Sequence, residues 1–239
     1  MRNFSNTYIF IFSSVMVIIV AAILSTTAML LQPIQQRNIE IEKKQFILAS
    51  VNIESTGKNA ESLYDKYITD SYVINSRGKR IEGVDAFSVN MADEIRKPYE
   101  ERNLPIYIGT LDDGTKKYIV PLRGKGLWGP IYGYISFNND FKTIFGATFD
   151  HDKETPGLGA EISTRAFQKD FKGKVIFDDT GNFTSILVVK GGAKPGSVNQ
   201  VDAISGGTLT SKGLQAMLKD CLGSYVTYFK EQQNSVTHE

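Results

Sequence analysis

Three segments of the sequence contain residue types that could hold a charged or flat ligand. The first, 202–210, reads Asp-Ala-Ile-Ser-Gly-Gly-Thr-Leu-Thr. Paired glycines that lead into a helix expose backbone N–H groups and the positive end of the helix dipole, which together can receive a phosphate. Ser, Gly and Thr are also the usual residues of helix caps. The pattern alone therefore favours an ordinary capped turn over a phosphate site.

The second segment, 151–159, reads His-Asp-Lys-Glu-Thr-Pro-Gly-Leu-Gly. Pro156 fixes φ, and Gly157 and Gly159 let a ligand approach, so this loop is predicted to be rigid and to expose N–H donors. His151 stands near carboxylates and could be an acid–base group. No Ser or Cys motif of nucleophilic type accompanies it, so a surface histidine without a catalytic role is favoured.

A third segment, 126–134, combines glycine with aromatic residues and reads Gly-Leu-Trp-Gly-Pro-Ile-Tyr-Gly-Tyr. Glycines beside Trp and Tyr indicate a backbone that approaches a flat group closely. An antiparallel sheet with bulges explains the same spacing equally well.

The composition excludes several classes of function. The chain has 239 residues with 27 basic and 26 acidic side chains, a net charge of +1. A nucleic-acid partner is not expected, because binding a polyanion needs a strongly basic face. Two histidines and one cysteine are too few for a zinc site or an iron–sulfur cluster, so no metal site is predicted. One cysteine also cannot form an internal disulfide.

The N-terminal region is predicted to anchor the chain in a membrane. Residues 8–31 are 24 positions without a charge, and a helix of that length spans about 36 Å. A cleaved signal peptide usually has an apolar region of about 7–15 residues, so a retained anchor is favoured. Arg2 precedes the span, whereas Arg37, Lys43 and Lys44 follow it. The charge rule therefore leaves the orientation undecided and leans against an outer location of the body.

The remainder predicts an α+β body with a mostly antiparallel sheet. Helices are expected beyond Pro33, at 59–68 and at 85–96, and strands at 72–74, 106–108, 118–120, 131–137 and 143–149. A hairpin is expected to join 175–177 to 186–189 through the turn at 178–182. The segments are expected to form an anchor (1–33), a juxtamembrane helix or stalk (34–58), a first part of the soluble domain (59–120), a ligand-binding core (121–230) and a C-terminal tail (231–239).

The final helix has the clearest periodicity. Its apolar residues recur at steps of three and four: Leu214, Met217, Leu218, Cys221, Leu222, Tyr225, Val226 and Phe229. This spacing predicts one face packed on the sheet, with Cys221 as a small buried hydrophobe. The helix is expected to begin just after the hydroxyl-rich residues 208–211.

Taken together, the three segments resemble the signature segments of the C subunit of the sodium-translocating NADH:quinone oxidoreductase, and the resemblance extends over the anchor and nearly all of the body. It implies an FMN-binding domain with FMN joined through its phosphate to a threonine hydroxyl. In the family, the acceptor closes a Ser-Gly-Ala-Thr motif that follows an Asp. Here this position is Thr208, although Gly207 stands where the family usually has Ala, so Thr210 is kept as an alternative acceptor.

The resemblance also implies which residues form the flavin site. Thr155, Gly157, Leu158 and Gly159 would form the wall against the isoalloxazine ring, and Leu127 and Trp128 would supply apolar or stacking surface. The complete predicted site contains Leu127, Trp128, Glu154, Thr155, Gly157, Leu158, Gly159, Asp202, Ser205, Gly206, Gly207, Thr208 and Thr210. No catalytic residue is assigned.

The implied function is a one-electron relay through covalent FMN towards quinone. The sequence has no Gly-rich strand-to-helix fingerprint for a dinucleotide, so NADH is expected to be oxidised by another subunit. The implied partners are the other subunits, a flavin transferase during maturation and the membrane. The implied location is the inner membrane, with a single span and the body on the periplasmic side. Alternatives are the FMN subunit of the related ferredoxin:NAD oxidoreductase complex, a flavin-free anchored binding domain, and hydrolysis by a Ser with His151.

Overall fold

A computed structural model describes residues 5–236 of the chain. The helices are α1 (Asn6–Ser50), α2 (Ala60–Tyr67), α3 (Met91–Glu94), α4 (Arg165–Lys169) and α5 (Thr208–Val236). The strands are β1 (Ile68–Ile74), β2 (Arg80–Ile81), β3 (Leu104–Thr110), β4 (Lys116–Lys125), β5 (Pro130–Phe137), β6 (Ile144–His151), β7 (Leu187–Val189) and β8 (Gln200–Asp202). Arg2, used above in the charge count, and the last three positions of the predicted tail lie outside the described residues.

The chain divides into two compact units, 1–43 and 44–239. Most of α1 belongs to the first unit, and its apolar residues from Tyr8 to Leu31 are exposed. This helix is long and apolar enough to cross a membrane. It continues without interruption through Pro33, because one missing N–H removes a single hydrogen bond from a ladder that persists on both sides. The anchor and the predicted juxtamembrane helix are therefore one helix, which ends at Ser50.

The second unit is built on a six-stranded sheet. The strand order is β2-β1-β3-β4-β5-β6, and every neighbouring pair is antiparallel. Each of the five strands expected in this region is present. The turn between β3 and β4 has Gly114 at φ +79°, as the Asp-Gly step predicts. The predicted α+β class with a mostly antiparallel sheet flanked by helices is confirmed.

Each face of the sheet carries its own apolar cluster, because neighbouring residues of a strand point to opposite faces. Ile106 and Val120 pack on the face that α5 covers, whereas Tyr107 and Ile119 pack on the other face. The opposite cluster includes Ile47 from the end of α1. The apolar face predicted for α5 is buried except at Val226, which is half-buried, and Cys221 lies in that face as expected.

The prediction of a hairpin between 175–177 and 186–189 is wrong. Its turn closes, with Phe177 bridging to Phe183, but the second segment continues away from the first. Ser185 takes a positive φ of 57°, and β7 pairs in parallel with β8. The Val188 N–H donates to Gln215 Oε1 of α5 at 2.9 Å. Tertiary contacts with α5 and β8 thus replace the local partner that the turn residues indicate.

The helix expected at 85–96 is also shorter than predicted. A 3₁₀ turn at Ala86–Ser88 is followed by extended residues Val89 and Asn90 and then by α3. The Asn90 side chain accepts a hydrogen bond from the Ala92 N–H at 3.0 Å. An asparagine that caps the following turn starts a new helix instead of continuing the previous one.

Gly133 offers a direct test of how tightly β5 and β6 pack. A methyl group at this position would overlap the Thr148 carbonyl oxygen and lie 2.9 Å from Phe149 Cα. Because backbone atoms cannot move aside locally, we expect Gly133→Ala to lower the free energy of unfolding by about 1–3 kcal/mol. The measurement is thermal or urea unfolding of the purified protein. The matched control is Gly57→Ala, where the added methyl meets no atom within 4 Å, and equal stability of the two variants would contradict the packing.

Candidate functional site

Three segments that are distant in sequence meet at the start of α5. One is the tight turn between β4 and β5, closed by a hydrogen bond from the Gly126 N–H to the Gly129 carbonyl at 2.8 Å. The second is the loop that follows β6 and contains residues 152–158. The third is the turn at 204–207 that leads into α5. These are the three segments that the sequence analysis singled out, and the fold brings them together.

The Glu154 carboxylate joins the three segments. Oε1 accepts a hydrogen bond from the Trp128 N–H at 2.9 Å, and Oε2 accepts one from the Thr210 hydroxyl at 2.5 Å. The side chain is buried. Burial acts to raise the pKa of Glu154, but hydrogen bonds from Thr210 and the Trp128, Gly129 and Leu127 backbone outweigh it, so the pKa lies below its ordinary value. Glu154 is therefore a buried, ionised carboxylate whose hydrogen-bond partners belong to the protein itself.

Two glycines make room for this carboxylate. A methyl group at Gly126 would overlap Glu154 Oε1, and one at Gly159 would overlap both Glu154 Oε2 and Thr210 Oγ1. Gly159, predicted as part of a wall against a ring, is buried. The packing therefore explains the missing side chains at both positions by contact with Glu154.

The helix α5 begins at Thr208, four residues earlier than the hydroxyl-rich pattern indicates. The Ser211 N–H donates to the Gly207 carbonyl at 2.9 Å, and the Ser211 hydroxyl accepts from the Ile204 N–H at 3.1 Å. The hydroxyl groups of 208–211 are thus in the first helical turn. Successive helical residues are rotated by about 100°, so Thr208 and Thr210 point in nearly opposite directions.

This rotation gives the two threonines different environments. Thr210 is buried and donates its hydroxyl proton to Glu154. Thr208 is half-buried, and Leu209 beside it is 56% exposed. Of the two threonines predicted as acceptors, Thr208 is the more exposed.

The turn before the helix is shaped by two glycines. Gly206 has φ +74°, and a methyl group there would lie 2.5 Å from Leu158 Cδ2. Gly207 is buried, and a methyl group there would lie 2.9 Å from Ile204 Cγ2. The Leu158 side chain therefore lies against the turn that precedes Thr208.

Apolar side chains are exposed on each segment that meets at this turn. Their exposed fractions run from 42% to 65%, and the residues are Leu127, Trp128, Leu158 and Leu209. Thr155 and Gly157 are also exposed. The Thr155 carbonyl accepts from the Leu158 and Ala160 N–H groups, both at 3.1 Å, which fixes the loop. Exposed apolar and aromatic surface beside a hydroxyl at a helix start fits a flat ring with a phosphate tail.

Asp202 ends β8, and Ser205 lies in the turn that precedes α5. Both are exposed. Asp202 Oδ1 accepts a hydrogen bond from the Ala193 N–H at 2.7 Å, so its carboxylate holds the loop that follows β7. Their predicted roles beside Thr208 stay predictions.

His151 has a contact that sequence reasoning missed. Its Nδ1 accepts a hydrogen bond from the Glu154 N–H at 3.2 Å. The histidine was considered as an acid–base group, but its imidazole holds the backbone of Glu154 against the end of β6. A histidine three residues before a buried acid at a strand end was the available signal, and it is a weak one.

Comparison with known proteins identifies the kind of domain that contains this site. Residues 126–223 match the family model of the FMN-binding domain, and this range contains all three segments of the site. The chain is 31% identical over 222 residues to the C subunit of the Na(+)-translocating NADH-quinone reductase of Vibrio vulnificus, covering 86% of each chain. It is 28% identical to the corresponding C subunit of Pseudomonas aeruginosa, covering 92% of each.

Solved structures of C subunits are also similar to this chain. The crystal structure of the C subunit from Parabacteroides distasonis has a TM-score of 0.77 and 43% identity, covering 83% of this chain and 96% of that one. The structure of NqrC from Shewanella oneidensis has a TM-score of 0.68 and 28% identity, covering 84% and 98%. The chain belongs to the family of C subunits of the Na(+)-translocating NADH-quinone reductase.

Substitution of the two turn glycines is expected to lower the stability of the protein by different amounts. Gly206→Ala places a side chain at a positive φ, which costs about 1–2 kcal/mol, and also presses on Leu158. Gly207→Ala leaves a permitted φ, and its methyl group would press on the Ile204 side chain at 2.9 Å and lie 3.3 Å from the Gly159 backbone N. We therefore expect Gly206→Ala to lower the unfolding midpoint more than Gly207→Ala, measured by thermal unfolding. A larger loss in Gly207→Ala would contradict this geometry.

Proposed function

We propose that the chain is an electron-transfer subunit of a membrane-bound Na(+)-translocating NADH-quinone reductase, and that it carries FMN as a phosphoester on Thr208. Family membership supports the assignment to this complex. The observation that carries the attachment site is the placement of Thr208. Its hydroxyl lies in the first turn of α5, on the side opposite the bonded Thr210, beside exposed apolar surface.

The first turn of α5 is suited to a phosphodiester. The first N–H groups of a helix lack intrahelical acceptors, and the helix dipole favours negative charge there by about 0.3–1 kcal/mol. Gly206 and Gly207 have no side chains to obstruct a pyrophosphate donor during attachment. Glu154 adds negative charge nearby, but its oxygens already accept from Thr210 and Trp128, so they do not compete for the helix N–H groups.

The exposed apolar side chains around the turn would cover the isoalloxazine ring. Leu158 lies against Gly206, and Leu127 and Trp128 stand on the neighbouring turn. FMN supplies the electron chemistry when it is bound. The protein supplies attachment, apolar cover and a fixed position. A covalent link suits a relay, because the cofactor is retained through each change of redox state.

Other parts of the reaction are assigned to partners. The chain has no dinucleotide-binding fingerprint, so we assign NADH oxidation to another subunit and transfer towards quinone to a further centre. A flavin transferase is the proposed catalyst of the attachment. We place the protein in the inner membrane with α1 as its single span and with the body on the periplasmic side.

The attachment site is tested by the flavin that survives denaturation. The full-length protein produced with its flavin transferase should give a fluorescent band on a denaturing gel and a mass increased by FMN less water. Thr208→Ala should lose both signals, because the acceptor hydroxyl is gone. Thr210→Val should keep them, since its hydroxyl is bonded to Glu154. An unmodified wild-type protein, or full modification of Thr208→Ala, would refute the assignment.

The proposed orientation is tested by labelling a new cysteine. The native Cys221 is buried, and burial raises the pKa of its thiol to about 12, so it should not react in the folded protein. Lys58 is exposed on the body, and Lys58→Cys should react with a membrane-impermeant maleimide added to intact cells after the outer membrane is permeabilised. Labelling only after the inner membrane is opened would place the body in the cytoplasm instead.

A further inference from the structure

The hydrogen bonds that Glu154 accepts restrict the position of Trp128. We propose that Glu154 is a positioning residue that holds the Trp128 turn against the first turn of α5, and so fixes the Trp128 ring relative to the Thr208 attachment point. The part of this inference that concerns flavin rests on the proposed function. The part that concerns the turn and the helix does not.

The two oxygens of one carboxylate connect two separate elements. Oε1 accepts from the backbone of the β4–β5 turn, and Oε2 accepts from a side chain of α5. Hydrogen bonds to a charged acceptor are shorter and stronger than bonds between neutral groups. Because the carboxylate is buried, loss of either donor would leave part of a charge uncompensated, which is costly. Glu154 therefore couples the turn to the helix, in addition to the direct packing of Gly213 in α5 on Lys125 and Gly126.

The surrounding residues leave Glu154 little freedom to move. Gly126 and Gly159 form the space for its oxygens, and a single methyl group at either position would overlap them. Its backbone N–H donates to His151 Nδ1 at the end of β6. The backbone of Glu154 is thus held at the end of β6, and the two glycines limit where its carboxylate can lie.

Trp128 has few other reasons to keep one position. The residue is 65% exposed, and it follows Gly126 and Leu127 in the tight turn between β4 and β5. Without the bond from its N–H, we expect the Leu127–Trp128 part of the turn to move more freely relative to α5. The ring would then lose its fixed distance from any group attached at Thr208.

Trp128 is also the natural reporter, because it is the only tryptophan in the chain. We would measure its fluorescence anisotropy in full-length protein with Thr208→Ala, which takes no flavin under the proposal. Adding Glu154→Gln or Thr210→Val should lower the anisotropy, since each removes the charged bond to α5. The double variant should lose no more than the larger single loss, because both changes break one interaction.

Two further variants separate positioning from general destabilisation. Thr210→Ser keeps the hydroxyl and should restore the anisotropy. Glu94→Gln is the matched control: Glu94 is another buried carboxylate, whose Oε2 accepts from the Asn103 N–H at 2.8 Å. Glu94→Gln should leave the fluorescence anisotropy of Trp128 unchanged. If circular dichroism shows that Glu154→Gln does not fold, the comparison of Thr210→Val with Thr210→Ser tests the positioning role instead.

The flavin-bearing protein supplies the second readout. With Thr208 intact, Thr210→Val should still show the covalent band, but quenching of Trp128 by the attached flavin should weaken relative to the wild type. A wild-type protein without covalent flavin would overturn the proposed function while leaving the anisotropy test in force. Anisotropy in both single variants equal to that of Glu94→Gln would overturn the positioning role, whether or not flavin is attached.

Discussion

The site depends on one buried negative charge. A hydroxyl of α5 and backbone N–H groups of the β4–β5 turn converge on the Glu154 carboxylate and hold its pKa below the ordinary value despite burial. This requirement brings three segments to one point and demands glycine at 126 and 159. It also turns Thr210 inward, and helix geometry then turns Thr208 outward. The arrangement of the two threonines is thus linked to the hydrogen bonds that an internal charge accepts.

The sheet and α5 supply the frame on which this charge is placed. The apolar face of α5 lies on β4, where Cys221 Sγ accepts from the Arg123 N–H at 3.4 Å and donates to its carbonyl at 3.3 Å. This packing fixes the helix along the strand, so the helix start lies beside the turn that ends β4. A shift of α5 along its axis would separate Thr210 from Glu154. The apolar core thereby sets the geometry of a polar contact at its edge.

Much of the fold could be predicted because its signals are local. The strands of the main sheet alternate between two buried faces, and Asp113-Gly114 closes a hairpin whose two strands are adjacent in sequence. Prediction failed where the partner of a segment is not its neighbour. Residues 186–189 look like the return strand of a hairpin, yet β7 pairs in parallel with β8 and bonds to Gln215. A turn motif specifies a reversal of the chain but does not specify the strand that will be its partner.

The same division applies to the site. The sequence by itself determined the three segments, the apolar anchor and the pair of candidate threonines, because glycine turns, hydrophobic runs and helix-start residues depend on near neighbours. Only the tertiary structure decided that Thr210 is buried, that Thr208 is the more exposed of the two, and that the buried Glu154 carboxylate bonds to Thr210. The physical reason is that Glu154 and Thr210 are 56 positions apart, and a contact over that distance exists only after β6 and α5 have packed on the same sheet.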